Sequence, residues 1–396
     1  MCMRKLVSCL IIFLITDIVY GEDQISQLPV NWKGLPEPYA TPSATNPPRV
    51  IERPEGAELT VPAGFSVDEY LSGFAGPRFM LPGPNNEILL SDMSAGIVYV
   101  IQQKKVKPLI KNLDGPYGLA FYKNWLYVAE ASAVKRYPYN ADTRTAGDAE
   151  MIISLHKYAG GHSTRSILFD HNNDKLYLTV GSGSNVDAGE PPIRASISRY
   201  NPDGTGFELF ATGIRNAVGL RWYPGTQDLW ITSHERDDLG DDLVPDYLTK
   251  VTPGGFYGWP YAYIGPHEDP RHKDKAPELV KKTLYPSVLL GSHAGSLDLL
   301  FYTGDQFPEK YRGGAFVALH GSWNRSKRTG YKIVFIPYKD GKPLSGPEDF
   351  LTGWMLSPDR PEVWGRPVGL LQMPDGSLLI SDDGAGKIWR VSYNKN

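Results

Sequence analysis

Cysteine is almost missing from this chain. Its 396 residues include two, Cys2 and Cys9, both within the first ten positions. A form that loses its N-terminus therefore has no thiol, no disulfide and no cysteine metal ligand, and must draw its stability from a large core. An excess of charge is missing too: 41 Lys and Arg stand against 44 Asp and Glu, for a net charge of -3. That balance gives no basis for nucleic-acid binding. Beyond the N-terminus no apolar run approaches the length of a membrane span, so no stable membrane insertion is expected. A Gly-rich phosphate loop, a nucleophile elbow and a zinc-type histidine cluster are also absent.

What is present begins with a leader pattern. Arg4 and Lys5 precede the apolar run Leu6 to Ile15, and Gly21 supplies a small residue at the end. Residues 1–21 read as a secretory signal, which predicts a periplasmic or secreted protein. Residues 22–62 are rich in Pro, Asn and Thr and read as an extended arm. From residue 63 to 396 the pattern is a turn, a short apolar strand, a polar turn and a second strand. Examples are Asn85-Asn86 before Ile88 to Ser91, and Pro374-Asp375-Gly376 before Leu378 to Ser381. Six such units recur without helical periods. Small sheets repeated in this way favour radial packing, which leaves few free edges. The expected fold is all-β, a six-bladed β-propeller of four-stranded antiparallel blades. The wide spacing over residues 234–300 predicts long insertions, usual places for function on such a scaffold.

The candidate chemistry sits near the starts of the predicted inner strands. His162 follows Gly160-Gly161, where the backbone can approach a ligand closely, and an imidazole near pKa ~6.5 suits a general base. Arg165, the pair Arg215-Asn216, Arg325 and Arg366 fall at or beside comparable points of separate units. Each alone is equally a capping or solvated residue. Converging, they would make a pocket for a polyanion. The stretch from His234 to Asp242 holds five acids in nine residues, a composition that suits Ca²⁺ as well as a plain solvated loop. Asn324-Arg325-Ser326 matches a glycosylation sequon.

These residues together resemble the soluble pyrroloquinoline quinone (PQQ)-dependent sugar dehydrogenases, most closely the sorbosone dehydrogenase-like branch, from about Gly64 to Tyr393. The pieces that carry the resemblance are Gly161 to Arg165, Gly213 to Asn216, Glu235 to Asp242, Gly255 to Pro260 and His320 to Arg325. The resemblance implies PQQ and Ca²⁺ at one mouth of the propeller channel, a sugar or alcohol substrate, and a quinone or cytochrome as electron acceptor. It implies that His162 is the base, that Arg215 and Asn216 contact the cofactor with Arg215 stabilising charge on the quinone oxygens, and that Arg366 is a further cofactor arginine. Backbone carbonyls of Asp237 and Asp238 would hold the cofactor's calcium. Asp241, Asp242 and Tyr257 would serve a separate structural calcium. The chain departs from the glucose-oxidising relatives at three points. Their fifth-blade Lys is replaced, with Arg325 the nearest substitute; Asp237-Asp238 stands for Gly-Pro; and Gly161 stands for the Asp before the base. Glucose is therefore not implied. Two alternatives remain. One is a calcium-dependent lactonase-type hydrolase, which gives the arginines no role. The other is a non-catalytic binding propeller, which predicts no turnover.

Overall fold

The computed structural model of the chain describes residues 28–394; the leader pattern at residues 1–21 and both cysteines lie outside them. Six antiparallel sheets follow one another along the sequence. Blade one is Pro77–Pro82, Ile88–Asp92, Ile97–Gln102 and Lys105–Ile110. Blade two starts at Leu119–Tyr122, blade three at Ile167–Asp170, blade four at Ala217–Trp222 and blade five at Ser296–Phe301. Each has four strands, with a two-residue extra strand, Thr145–Ala146, on blade two. Blade six is Pro367–Gln372, Leu378–Asp382 and Lys387–Tyr393, and its outer strand, Phe65–Ser72, comes from the start of the propeller. This pairing joins the two ends of the ring and closes the circle without covalent help.

The second strand of each blade explains why the apolar runs are continuous and not alternating. Ile88–Asp92, Leu229–Ser233, Ala315–Leu319 and Leu378–Asp382 are buried at every position. A blade covered by a neighbour on both faces has no solvent side, so alternation disappears. Among the described residues six apolar clusters form, one at each blade–blade boundary. Each large apolar side chain buried there contributes about 1.5–3 kcal/mol. The inner strands pack one against the next around the whole ring. Glycine permits this at the axis: a Cβ at Gly369 would lie 2.2 Å from the Arg78 carbonyl oxygen, and one at Gly118 would lie 2.6 Å from that of Arg165.

Antiparallel pairing then sets where function can gather. Pro77 pairs with Asp92 and Asp92 with Ile97; Ala217 pairs with Ser233 and Ser233 with Tyr247; Pro367 pairs with Asp382 and Asp382 with Lys387. The start of each inner strand therefore shares one end of the blade with the loop between its second and third strands. In blade four that loop is the acidic stretch 234–244, and the connection 251–287 adds the hairpin Ala262–Tyr263/His267–Glu268 and a short helix, Pro277–Lys281.

The arm is tied down along its length. The Val30 amide donates to Ser287, the Tyr39 amide to the Leu239 carbonyl, and Arg49–Val50 pairs with Glu362–Val363. It crosses blades four to six on the face that carries the loops above.

Candidate active site

At that face a cavity of about 320 Å³ is lined by Gly161, His162, Gly183, Ser184, Asn185, Arg215, Asp237, Asp238 and Trp323. His162 enters it from the connection before blade three. Gly161 has φ +72°, and a Cβ there would lie 2.5 Å from Gly183, so the loop before His162 can close only around glycine. The His162 amide donates to the Ser182 carbonyl at 3.1 Å, and Nδ1 lies 2.9 Å from the same oxygen and 3.1 Å from Ser182 Oγ. The Ser182 hydroxyl proton is committed to the Ser184 carbonyl at 2.6 Å. Both Ser182 oxygens therefore accept, the network assigns the proton to Nδ1, and Nε2 keeps a bare lone pair. Burial, and then the Arg215 cation, push the His162 pKa down to about 3, so the imidazole is neutral.

Arg215 is 3 % exposed. Its Nε donates to the Asn185 carbonyl, Nη1 to the carbonyls of Glu235 and His234, and Nη2 to Asn185 Oδ1 and Asp237 Oδ2. All five N–H groups are engaged, so Arg215 acts on the cavity as a fixed positive charge. Asp237 lies between Arg215 and His293, 3.2 Å from each; burial raises its pKa, but His293 and Arg215 win and hold it below the usual carboxylate range. Asp238 differs. It is exposed, has φ +71°, and its carboxylate accepts only from the neutral amides of Asn324 and Asn185, at 3.1 and 3.4 Å. No cation pairs with it directly, although the Arg271 guanidinium lies within electrostatic range.

Several expected residues lie elsewhere. Arg165 is completely buried, and its guanidinium turns away from the cavity to the carbonyls of Tyr158, His162 and Thr164. It braces the His162 loop through these carbonyls, while its Nε is buried without a partner. Asn216 does not line the cavity but lies beside it: a Cβ on Gly181 would come within 2.4 Å of Asn216 Oδ1 and 2.7 Å of His162 Cβ. That Oδ1 is buried and unpaired. Arg325 bridges loops, with Nη1 on the Asp241 carbonyl and Nη2 2.7 Å from Asp242. On this face of blade five, His320 spans to another blade, 2.8 Å from Asp383 of blade six, which in turn meets Arg78 of blade one at 2.7 Å. Arg366 joins this group, its Nε donating to the His320 carbonyl at 3.3 Å. Arg325 stands in the basic stretch after His320, and no local pattern marks which residue of that stretch turns inward.

The acids do not gather as a second cation cage. The Asp241 carboxylate accepts from Ser326, Asp242 pairs with Arg325, and the Tyr257 hydroxyl donates to the Lys250 carbonyl while accepting from the Thr252 amide. Among the described residues no three His, Cys, Asp or Glu side chains are placed to hold a metal. The sequon is also spent internally. Asn324 is 1 % exposed and its amide donates to the Ala44 carbonyl and Asp238, which leaves no room for a glycan. Asn185 was missed by the sequence reading. It bonds Arg215, the Asp237 amide and Asp237 carbonyl, and a lone Asn in a Ser/Gly loop carries no signal of that.

A closed six-bladed ring with a neutral imidazole, a buried arginine and an exposed acid around one cavity makes a propeller with a candidate ligand site on one face. The chain belongs to the TrAA12-like family, which matches residues 59–254 and 268–394. It is 31 % identical over 352 residues to an uncharacterized protein of Borreliella burgdorferi, covering 85 % of this chain and 91 % of that one. A pyrroloquinoline quinone-dependent pyranose dehydrogenase of Coprinopsis cinerea is 22 % identical over 84 % of this chain, which spans about half (54 %) of that enzyme's length. Among solved structures, the calcium structure of a Trichoderma reesei protein of carbohydrate-active family AA12 superposes with a TM-score of 0.73 at 21 % identity, covering 88 % of this chain and 99 % of that one. The holo PQQ domain of the Coprinopsis pyranose dehydrogenase gives 0.70 at 20 % identity, covering 87 % and 99 %. The soluble aldose sugar dehydrogenase of Escherichia coli, in its apo form, gives 0.64 at 17 %, covering 83 % and 99 %. The fold and the family resemblance read from the sequence are both borne out.

Proposed function

We propose that this chain is an exported PQQ-dependent dehydrogenase that oxidises a sugar or related alcohol, with His162 as the general base. The observation that carries the reading is the bare Nε2 of His162 opening on a cavity that also holds the Arg215 charge. Membership of a family whose relatives include a PQQ-dependent pyranose dehydrogenase supports it.

The residues present fit such a group in charge. Arg215 offers a fixed cation to a carboxylated ligand, and Ser184 and Asn185 line the cavity beside it. Asp238 fits a divalent cation: without one, its free carboxylate would repel an anionic cofactor in the same cavity. Asp238 would hold Ca²⁺ there; the Asp237 carbonyl, expected as a second ligand, already accepts from Asn185 and Arg271. PQQ held there would supply a two-electron oxidant for the hydride of the sugar carbon.

The protein's own contribution is positional and acid–base. As the C–H bond breaks, His162 Nε2 takes the proton of the adjoining hydroxyl and the C–O bond becomes a carbonyl, so hydride and proton leave together and charge balances. Nδ1–H, held by Ser182, fixes the ring so that Nε2 faces the cavity. The Arg215 charge disfavours imidazolium in the empty site, and an anionic cofactor offsets that charge and strengthens the base. The electron acceptor is proposed, by family resemblance, as a quinone or cytochrome, and export rests on the leader pattern at residues 1–21.

The test is a titration of the purified protein with PQQ, with and without Ca²⁺, followed by dye reduction across aldoses and alcohols. Saturable binding tightened by Ca²⁺, with reduction by at least one sugar, is expected. No binding in either condition overturns the reading.

A further inference from the structure

His162 has one exit for a proton. Its Nδ1–H is committed to Ser182, so a proton taken at Nε2 must leave again through Nε2, into the cavity that a ligand fills. The Arg215 charge beside it makes that proton easy to release. Turnover therefore needs a second group in the site that holds a proton more readily than His162 and reaches solvent.

Most charged neighbours do not serve. Asp237 is spent between Arg215 and His293. His293 has both nitrogens engaged, Nδ1 with Asp237 and Nε2 with the Gly240 carbonyl at 3.0 Å. His320 shares its carboxylate, Asp383, with Arg78, and burial takes its pKa down to about 4. Asp238 is taken by the cation proposed above.

His234 differs from all of these. It follows Leu229–Ser233, the second strand of blade four, and its Nδ1 lies 3.1 and 3.2 Å from the two carboxylate oxygens of Asp246. Asp246 is completely buried and also accepts from the amides of Glu235 and Ser296, each at 2.9 Å. Among the described residues no other cation pairs with it. Burial lowers the His234 pKa, but Asp246 outweighs burial and holds it above the usual imidazole range, with Arg215 opposing and Asp237 assisting. The His234 side chain is 16 % exposed, and among the described residues its Nε2 has no hydrogen-bond partner. The backbone brings it near the base: the Ser182 amide donates to the Arg215 carbonyl at 2.8 Å, and the His234 amide to the Asn216 carbonyl at 3.0 Å. The two imidazoles lie within electrostatic range of each other.

We propose that the His234–Asp246 pair is the proton exit of this site, taking from His162 the proton removed from the substrate and releasing it to solvent. The proposal rests on the dehydrogenase reading above and adds the step that resets its base. The proton leaves His162 Nε2, which regains its lone pair, crosses over hydroxyls or water in the site, and bonds to His234 Nε2. Asp246 balances the imidazolium until Nε2 gives the proton to bulk water. No electrons move in this step, and solvent is its only co-reactant.

The test has two parts. In cofactor-free protein, imidazole nitrogen shifts followed by NMR against pH are expected to show His234 titrating above ~6.5 while His162 stays neutral. In PQQ-loaded protein, His234→Gln is expected to lower kcat on the order of 10²-fold, with KM and PQQ affinity little changed. His234→Gly is expected to lose turnover similarly and to regain it when imidazole is added, a rescue that a merely structural role would not give. Wild-type turnover in His234→Gln overturns the proposal. So does His234 titrating below His162, or a loss in His234→Gly that imidazole leaves in place. Failure of PQQ to bind the wild type overturns the dehydrogenase reading instead, whereas binding with full turnover in His234→Gln overturns the proton exit alone.

Discussion

His162 Nδ1 lies 2.9 Å from the carbonyl oxygen of Ser182, whose own hydroxyl is turned to Ser184. Two short contacts thereby decide which imidazole nitrogen is free. His162→Gln keeps a polar group of similar reach but no base. Turnover is expected to fall about 10²–10⁴-fold with PQQ affinity largely retained, as read by dye reduction beside a cofactor titration. Loss of binding and turnover together would make His162 a cofactor ligand and not a base.

The pH dependence of stability follows from two depressed histidines. Burial, then Arg215, takes His162 to about 3, and burial takes His320 to about 4 despite Asp383. In the unfolded chain both titrate near ~6.5, so below that pH the unfolded state binds more protons. Stability of the cofactor-free protein is expected to fall as pH drops from about 6.5 toward 4, by at most about 1.4 kcal/mol per pH unit for each histidine. Denaturant melts across this range check it, and His320→Gln is expected to flatten the slope.

Gly161→Ala tests the loop that presents the base. The new methyl would lie 2.5 Å from Gly183, at a φ of +72°. A displacement of the order of 1 Å at His162 is expected to cost about 10²-fold in kcat/KM, and the strain about 1–3 kcal/mol of stability. Wild-type activity with an unchanged Tm would show that the loop accommodates it.

Removing Arg215 should separate charge pairing from ligand binding. Arg215→Met leaves Asp237 buried with His293 alone, a loss of about 3–5 kcal/mol. Adding Asp237→Asn is expected to recover much of that stability without restoring PQQ affinity. Recovery of both would reduce Arg215 to a structural residue.

Asn324 ties the arm to the acidic loop through the Ala44 carbonyl and through both the amide and carboxylate of Asp238. Asn324→Ala is expected to cost about 1–3 kcal/mol, to hasten proteolysis within residues 39–47, and to weaken the calcium effect on PQQ binding. Limited proteolysis with mass spectrometry reads the arm directly.

The arrangement of chemistry was partly open to sequence reading. His162 after two glycines, Arg215 before an inner strand and the clustered acids Asp237 and Asp238 are visible in the sequence, and all four line one cavity. Arg165 and Arg325 have the same local appearance, yet their donors go to nearby carbonyls and to Asp242. Local sequence does not say which way an arginine turns. Asn185 and Gly181 carry no signal, because each matters only through a neighbour far away in the chain.

The sequence by itself determined the all-β propeller, since runs such as Ala315–Leu319, punctuated by Gly, Pro and Asn, can bury both faces only between neighbouring sheets. It also placed the long insertions after residue 234 and the arginines Arg165, Arg215 and Arg366 just before three inner strands. Only the tertiary structure decided that Phe65–Ser72 closes the ring on Lys387–Tyr393, that the arm fastens the mouth loops, and that His320 meets Asp383 and Arg78. Those contacts join residues tens to hundreds of positions apart. Their geometry is set by how six blades close around an axis, which no local pattern of residues records.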